Sequence, residues 1–389
     1  MIYGYWKRLF HRGATRLHSF VAKQQLFPRE AIAGRGGREG LGLRLKSITA
    51  PRATLLSSTR IMANVPYRSL GPTDIHISAI GLGTWQFSQH VIAAAGNWTV
   101  VTQEMVNAIV REAYAAGVNW FDTAEIYGFG RSERALARAL LAADVAPGQV
   151  AIATKWWPIP RRAANIGNTI DKRIQNLSPY PIDLYQAHWP RSLSSIEAVM
   201  DAMADLVEAG KIRAVGVSNY DGDQMRRAHE RLAKRGVPLA SNQVKYNLLD
   251  RTIEKNGVLD ASRELGITII AYSPLEMGLL TGKFHADPEL LARRPWRRRR
   301  KLQSRLEITR PLIDRMHEIA RRYDATVTQI GLNWLIHAHG QLVVAIPGAT
   351  TLHQAVDAAG AMRLKLTQDE MDALDAIARS LTTYHPISN

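Results

Sequence analysis

The 389-residue sequence contains no cysteine, and this absence excludes several kinds of chemistry. Disulfide frameworks, thiolate zinc sites, iron–sulfur clusters and thiol nucleophiles all need cysteine. No run of eighteen apolar residues is present either, so no segment has the pattern of a transmembrane helix. Because 46% of the residues are hydrophobic, the chain can bury a large core, and an α/β barrel of this length commonly forms one domain.

Acidic residues are scarce at the N-terminus. Residues 1–61 contain three lysines and nine arginines against two glutamates, and so hold most of the formal net charge of +16. The segment has no clear helical or strand periodicity, and we predict a disordered or transit-like extension, either a transit peptide or translated sequence upstream of a start at Met62. The folded domain is then residues 62–389. The expected location is the cytoplasm, or an organelle if the segment is a transit peptide.

Two groups of side chains could suggest a nucleic-acid or metal site. Residues 293–305 include the run Arg297–Lys301, but only Trp296 is an aromatic neighbour and no nucleic-acid motif accompanies it, so we predict a solvated loop. His337 and His339 are two residues apart on a predicted helix and point to different faces. We therefore expect no nucleic-acid partner, no membrane and no metal.

From residue 77 onward, short apolar runs alternate with amphipathic stretches, which is typical of βα units around a parallel sheet. The eight predicted strands are Ile77–Leu82, Val118–Asp122, Val150–Thr154, Leu184–His188, Ala214–Ser218, Leu239–Gln243, Thr268–Tyr272 and Leu342–Ile346. The predicted helices are Gln103–Ala115, Ser132–Leu141, Ser195–Glu208, Asp223–Lys234, Asn256–Glu264, Pro311–Tyr323 and Val327–His337. Eight repeats favour a (β/α)8 barrel. The rival is an open doubly wound sheet, but Gly81–Gln86 lacks the third glycine of its phosphate turn.

Two other segments complete the predicted fold. Residues 67–77, with Gly71-Pro72-Thr73-Asp74 at their centre, predict a β-hairpin that plugs the floor of the barrel. The long loop from Gly278 to Arg310 follows the seventh strand and is large enough to act as a lid. Loops at this end of a barrel carry function.

Four titratable side chains fall at or just after the carboxyl ends of neighbouring predicted strands. Asp122 ends the second strand and Tyr127 follows five residues later, while Lys155 and His188 end the third and fourth strands. Each alone has a structural explanation, such as a helix cap or a rim salt bridge. Because active sites of barrels are built at this rim, we expect the four to form one catalytic site.

The chemistry of these four groups is coherent. Reduction of a carbonyl by hydride transfer needs a proton donor for the oxygen, and a free tyrosine holds its proton tightly, with a pKa of about 10. A neighbouring Lys155 cation is expected to lower the pKa of Tyr127, and Asp122 to hold that cation in place. His188 can orient the carbonyl oxygen and donate a hydrogen bond to it.

Here the sequence resembles the aldo-keto reductase superfamily over about residues 67–381. The resemblance is carried by Asp122-Thr123-Ala124-Glu125-Ile126-Tyr127-Gly128, Thr154-Lys155, His188-Trp189, Gly83-Thr84-Trp85, Gly216-Val217-Ser218-Asn219, Asn242-Gln243, Ala271-Tyr272-Ser273-Pro274-Leu275, Gly278-Leu279-Leu280-Thr281-Gly282-Lys283 and Ile346-Pro347-Gly348-Ala349. It implies an NAD(P)H-dependent reductase of aldehydes or ketones in which Asp122, Tyr127, Lys155 and His188 are catalytic.

The resemblance also implies where the cofactor binds. Ser218, Asn219 and Gln243 would hold the nicotinamide carboxamide, with Tyr272 stacked on the ring. Backbone amides and one cation suit the anionic diphosphate. The full set of implied cofactor contacts is Gly83, Thr84, Trp85, Asp122, Ser218, Asn219, Gln243, Tyr272, Ser273, Pro274, Leu275, Gly282, Lys283, Gly348, Thr350 and Gln354.

The sequence departs from many relatives at the adenosine end of this site. Thr350 and Ala358 stand where those relatives have a cation and an asparagine that help to recognise the adenosine phosphate, while Gly348, Thr351 and Gln354 remain as contacts. A bidentate arginine would have favoured a 2′-phosphate. The resemblance therefore implies NADP, and NAD stays an alternative.

Tryptophans near the strand ends suggest an apolar pocket for the substrate. Trp85, Trp156 and Trp189 are the expected substrate contacts, with Trp157 beside them. Pyridoxal, methylglyoxal, sugar aldehydes and steroid-like ketones all stay open. So does a second function, since some proteins of this fold bind the cofactor and act mainly as regulatory partners with little turnover.

Overall fold

A computed structural model describes residues 66–88 and 101–381, and its first element is an antiparallel hairpin. Strands β1 (Tyr67–Ser69) and β2 (His76–Ser78) pair around the turn at Gly71. Gly71 has a φ of +53°, and a Cβ at this position would lie 2.3 Å from the Ala240 carbonyl oxygen, so only glycine fits the turn.

Eight parallel strands follow, and each pairs with the next one along the chain. They are β3 (Leu82–Gly83), β4 (Trp120–Asp122), β5 (Ala151–Trp156), β6 (Leu184–Ala187), β7 (Ala214–Ser218), β8 (Leu239–Lys245), β9 (Thr268–Tyr272) and β10 (Val343–Ala345). Parallel bridges from Ile80 to Ala345 and from Gly83 to Gly348 join the first strand to the last. The sheet therefore closes on itself, as the predicted (β/α)8 barrel requires.

Helices cover the outside of the sheet. They are α1 (Gln103–Ala115), α2 (Arg131–Ala142), α3 (Asn165–Leu177), α4 (Ile196–Glu208), α5 (Gly222–Ala233), α6 (Val258–Leu265), α7 (Lys283–Ala286), α8 (Pro288–Ala292), α9 (Trp296–Gln303), α10 (Leu306–Arg322), α11 (Val327–His337), α12 (Leu352–Gly360) and α13 (Gln368–Ser380). Short 3-10 turns lie at Trp85–Ser88, Thr252–Glu254, Glu276–Thr281 and Ala361–Arg363. Capping boxes fix the starts of three helices, at Asp221, Thr326 and Thr367. None of the helices in these ranges has the length and apolar character needed to cross a bilayer.

The hairpin forms the floor of the barrel. Leu70, Ile75 and Ile77 belong to one buried cluster with residues from the amino ends of the strands, among them Trp120 and Ala214. Polar contacts fasten the hairpin: the Arg68 guanidinium donates to the Val343 carbonyl oxygen at 2.6 Å. The floor is thus sealed, and the opposite rim is left for ligands.

The predicted elements are confirmed with shifts of a few residues, apart from one divided strand and three missed helices. The first predicted strand, Ile77–Leu82, divides into hairpin strand β2 and barrel strand β3. Helices α3, α12 and α13 were missed, although Ile166, Ile170 and Leu177 have helical spacing and are buried.

The long connection after the seventh strand is not a simple loop, because it contains a 3-10 turn, α7, α8 and α9. The basic run belongs to α9 rather than to a solvated loop, and its Arg298 is only 4% exposed. Residues 1–61 and Met62 lie outside the described residues, so the domain boundary and the cellular location stay predictions.

Candidate active site

The carboxyl ends of β4 and β5 bring the first three predicted catalytic side chains into contact. Lys155, fully buried inside the barrel, donates from Nζ to Asp122 Oδ1 at 2.5 Å and to the Thr123 carbonyl oxygen at 2.8 Å. The third Nζ donor points to the Tyr127 hydroxyl oxygen at 3.4 Å. The lysine is therefore fixed between a carboxylate and a phenol, as the sequence predicted.

Asp122 is held by two amides as well as by the lysine. Its Oδ2 accepts hydrogen bonds from Gln243 Nε2 at 2.8 Å and from Gln186 Nε2 at 3.2 Å. Gln243 was expected as a cofactor contact, but Gln186 was missed. The available signal was its position in β6, two residues before His188 and therefore on the same face of the strand.

His188 lies at the other side of the tyrosine. The Tyr127 and His188 ring centroids are 5.8 Å apart in an edge-to-face arrangement, and Trp157 packs on the imidazole at 5.4 Å. Burial, and secondarily the Lys155 cation, lower the pKa of His188 well below its ordinary value, so the imidazole is neutral at neutral pH. Its Nδ1 is buried and has no hydrogen-bond partner in the described part of the chain.

The structure reverses one expectation about Tyr127. Burial raises the pKa of this phenol well above its ordinary value, and the Asp122 carboxylate adds to the rise. Burial also lowers the pKa of Lys155, although Asp122 opposes this. The expected lowering of the Tyr127 pKa by the lysine was therefore wrong for the chain itself, since the loss of hydration outweighs the nearby cation.

The ends of β7, β8 and β9 form a connected polar surface next to the tetrad. Asn219 Nδ2 donates to the His188 carbonyl oxygen at 3.1 Å and to Ser218 Oγ at 3.0 Å, while the Tyr272 hydroxyl donates to Asn219 Oδ1 at 2.9 Å. Ser218 Oγ donates to the Gln243 carbonyl oxygen at 2.8 Å. The side chains assigned to the nicotinamide thus lie together at one rim of the barrel.

The segment after β9 contains the residues expected at the diphosphate. Ser273 has a φ of +50° and Gly282 a φ of +73°, and Leu275 accepts from the backbone amides of Gly278 and Leu280 at 2.8 and 3.2 Å. The intervening Pro274 is buried. Lys283 follows directly at the start of α7.

Positive charge accumulates around Lys283. Burial, then Arg298 and Arg294, lower the pKa of Lys283 to about 8, and burial with Arg294 lowers the pKa of Arg298 to about 10. No carboxylate within the described ranges forms a salt bridge with Lys283. Arg298 also donates to the Met277 carbonyl oxygen at 2.6 Å, so α9 is tied to this segment. The role of Arg298 was missed because the basic run was predicted to be solvated.

The last expected cofactor residues lie where the barrel closes. Thr350 donates from its backbone amide and its hydroxyl to Gln354 Oε1, at 2.8 and 3.0 Å. Gly348 bridges to Gly83, and a Cβ on Gly348 would meet the Gln86 amide at 2.3 Å. The fully buried Thr84 donates to the Asp122 carbonyl oxygen at 2.9 Å and so links the first strand to the tetrad.

The tryptophans divide between the site and the core. Trp85 is 43% exposed and meets the Tyr127 ring edge-on at 4.7 Å. Trp156 does not reach the site: it is fully buried, and its Nε1 donates to Asn165 Oδ1 at the start of α3, because it alternates with the inward-facing Lys155. Trp157, not Trp156, contacts His188. Trp189 is half-buried, with the Arg191 guanidinium 5.4 Å from its ring.

Comparison with known proteins identifies a protein family that agrees with the geometry of the site. Residues 79–379 match the model of the Aldo/keto reductase family. The chain is 32% identical to the chloroplastic pyridoxal reductase of Arabidopsis thaliana (81% of this chain, 87% of that protein) and 30% identical to an NADH-specific methylglyoxal reductase of Escherichia coli (80% and 98%). A crystal structure of a thermostable aldo-keto reductase with the inhibitor epalrestat superposes with a TM-score of 0.64 at 31% identity, covering 80% of this chain and 99% of that one.

These matches extend through the whole described barrel and include the strands that carry the tetrad. Two of these relatives are named as reductases of small carbonyl compounds, pyridoxal and methylglyoxal, and the second is named as NADH-specific. The chain therefore belongs to the aldo/keto reductase family and is an NAD(P)-dependent reductase of small aldehydes or ketones.

Proposed function

We propose that Tyr127 is the general acid of this reductase, that Lys155 and Asp122 support it, and that His188 orients the carbonyl group. The observation that carries the proposal is the chain of contacts from Asp122 through Lys155 to the Tyr127 hydroxyl, at 2.5 and 3.4 Å. A purely structural ion pair would not need a phenol at its open end, edge-on to a neutral imidazole.

The residues at the rim fit a nicotinamide dinucleotide. Amide and hydroxyl groups cluster at Ser218, Asn219 and Gln243, and Lys283 offers a half-buried cation without a carboxylate partner in the described ranges. Amides suit a carboxamide, and a partly desolvated cation suits a diphosphate. When bound, the reduced nicotinamide supplies the hydride.

The chain's own residues then manage the proton. Because the pKa of Tyr127 is high, its hydroxyl is protonated at neutral pH and can donate to the carbonyl oxygen as that oxygen gains negative charge. Lys155 stabilises the tyrosinate that remains. Neutral His188 has one N–H to donate to the same oxygen, which fixes the direction of the carbonyl.

We propose NADP as the preferred cofactor, because the resemblance to the aldo-keto reductase superfamily implies it. The cations at Lys283, Arg294 and Arg298 lie at the diphosphate, which NAD and NADP share, and so they suit either cofactor. NAD is the second candidate, because the adenosine end presents neutral Thr350 and Gln354 and the Escherichia coli relative is named as NADH-specific.

We propose small aldehydes, including aromatic ones, as the substrate class. Trp85 and Trp157 pack on Tyr127 and His188 and supply flat apolar surface next to the proton donor. Relatives that act on pyridoxal and on methylglyoxal show 30 to 32% identity, which makes both compounds suitable first substrates.

The test is the oxidation of NADPH and of NADH, followed by loss of absorbance, with pyridoxal, methylglyoxal and benzaldehyde. Wild type is expected to turn over, to prefer NADPH, and to lose roughly 10²-fold or more in kcat as Tyr127→Phe. Tyr180→Phe is the matched control, since that hydroxyl donates to the Val145 carbonyl oxygen away from the rim. Tight cofactor binding without turnover of any carbonyl would reject the assignment and favour the regulatory function. Equal use of both cofactors would reject the NADP preference.

A further inference from the structure

The segment after β9 has a strained backbone. Three residues other than glycine have positive φ angles within five positions: Ser273 at +50°, Glu276 at +43° and Met277 at +56°. Residues other than glycine disfavour this backbone conformation, and such strain persists only where the surrounding structure imposes it. Something in the structure must therefore hold this segment in place.

A buried ionic network around Glu276 meets that requirement. Glu276 is fully buried, and its Oε1 lies 3.0 Å from Lys245 Nζ, while its Oε2 accepts from Asn247 Nδ2 at 2.9 Å. The same Asn247 amide donates to the Ser273 carbonyl oxygen at 3.0 Å. Lys245 also pairs with Asp250 at 3.1 Å. Two of the three strained positions, Ser273 and Glu276, are thus bonded directly to the network.

The network connects two parts of the cofactor site. Lys245 is the last residue of β8, two residues after Gln243, which bonds to Asp122. Glu276 lies between Leu275 and Gly282, both assigned to the diphosphate. Because Lys245 compensates Glu276 and Asp250, it also reduces the negative charge beside an anion site.

We propose that Glu276 and Lys245 are positioning residues that preform the diphosphate-binding segment, an inference that rests on the proposed function. Neither touches the reacting atoms. Their contribution is to hold residues 273–282 in the binding conformation before the cofactor arrives and to keep the region free of uncompensated negative charge.

The charges predict an order among variants. Glu276→Gln keeps the shape of the side chain and leaves Lys245 with Asp250, so only the hold on the strained segment weakens. Lys245→Met removes the cation that pairs with both Glu276 and Asp250 and leaves two buried carboxylates next to an incoming diphosphate, which is worse. Adding Glu276→Gln to Lys245→Met removes one of these negative charges, so the double variant should bind better than Lys245→Met alone.

The experiment measures dissociation constants by fluorescence titration for three ligands. These are NADPH, ADP-ribose, which keeps the diphosphate, and reduced nicotinamide mononucleotide, which lacks it. We expect Kd for NADPH and ADP-ribose to rise roughly 10-fold in Glu276→Gln and about 100-fold in Lys245→Met, with the double variant between them. Kd for the mononucleotide should change less than about 3-fold, as should kcat at saturating NADPH.

Controls separate this inference from general damage and from the proposed function. Glu197→Gln breaks an exposed ion pair with Arg227 and should leave every Kd unchanged. If Glu276→Gln does not fold, Lys245→Met carries the test. Equal losses for all three ligands, or Lys245→Met binding NADPH like wild type, would overturn the inference. If wild type itself neither binds NADPH nor reduces an aldehyde, the proposed function fails instead.

Discussion

Replacing Asp122 by asparagine should damage both stability and catalysis, because this carboxylate compensates a fully buried cation. The substitution preserves shape but removes the negative charge 2.5 Å from Lys155 Nζ. It also changes an acceptor into a donor: if the new Oδ1 faces Lys155, the new Nδ2 faces the donating amides of Gln243 and Gln186. The variant therefore contains an uncompensated charge and a donor facing other donors.

The expected size of the effect follows from burial. Removal of one partner of a buried ion pair costs about 3–5 kcal/mol, whereas an exposed pair contributes about 0–1 kcal/mol. Asp122 and Lys155 have side-chain exposures of 1% and 0%, so the larger value applies. For a domain of this size that corresponds to a fall in Tm of about 5–8 °C. We also expect kcat to fall roughly 10²-fold, since a displaced or neutral Lys155 no longer supports Tyr127.

The assay is thermal unfolding by circular dichroism together with aldehyde reduction at saturating cofactor. Glu197→Gln is the control, because its partner Arg227 is 52% exposed and the loss of that pair should move Tm by less than about 2 °C. If Asp122→Asn melts within 2 °C of wild type, the buried-pair argument fails. If it melts lower but keeps wild-type kcat, Asp122 is structural and not part of the proton-donating group.

Three further outcomes follow from the same structure. With the pKa of Tyr127 raised, kcat/KM for reduction should stay level from about pH 6 to 9; a decline centred near neutral pH would show instead a lowered pKa. Burial lowers the pKa of His188, so its contribution to stability is present above the unfolded pKa near 6.5 and is lost as the pH falls below it. His188→Asn should therefore reduce the slope of the unfolding free energy against pH, measured by urea unfolding, by up to about 1.4 kcal/mol per pH unit. Gly71→Ala should lower the free energy of unfolding by about 2–4 kcal/mol, because the new Cβ meets the Ala240 carbonyl oxygen. Gly148→Ala, where nothing lies within 4 Å of the new Cβ, should lower it by about 1–2 kcal/mol, and equal losses in the two variants would contradict the role of the contact.

The fold was predictable because periodicity records burial. Strands between two layers appear as apolar runs, and the helices Gln103–Ala115 and Val327–His337 were predicted to the residue. The missed helix α3 shows the limit: its buried Ile166 and Ile170 are interrupted by polar positions, and Arg173 is buried on the same face through ion pairs with Glu125 and Glu133. A buried arginine breaks an apolar pattern unless its partners are known.

The residues of the site were predictable where they lie at strand ends. They were not predictable where the role of a residue depends on the direction of its side chain or on a partner distant in the sequence. The positions of Asp122, Lys155 and His188 follow from the strands alone. Trp156 was misassigned by a single position, since adjacent residues of a strand face opposite sides. Glu276 and Lys245 are 31 residues apart, and neither lies in a motif that indicates their contact.

The Tyr127 pKa shows why contacts alone do not determine chemistry. Spacing predicted the lysine beside the phenol, and the contact exists, yet burial and Asp122 move the pKa upward. A high pKa leaves the hydroxyl protonated, so for reduction the lysine need not ionise the phenol in the resting site; it needs to stabilise the tyrosinate only once the proton has left. The same burial that opposes ionisation of the phenol strengthens the Lys155–tyrosinate attraction, because the effective dielectric constant is low. The upward pKa shift thus keeps the hydroxyl protonated until the carbonyl oxygen gains negative charge, which is compatible with a proton donor in a reductase.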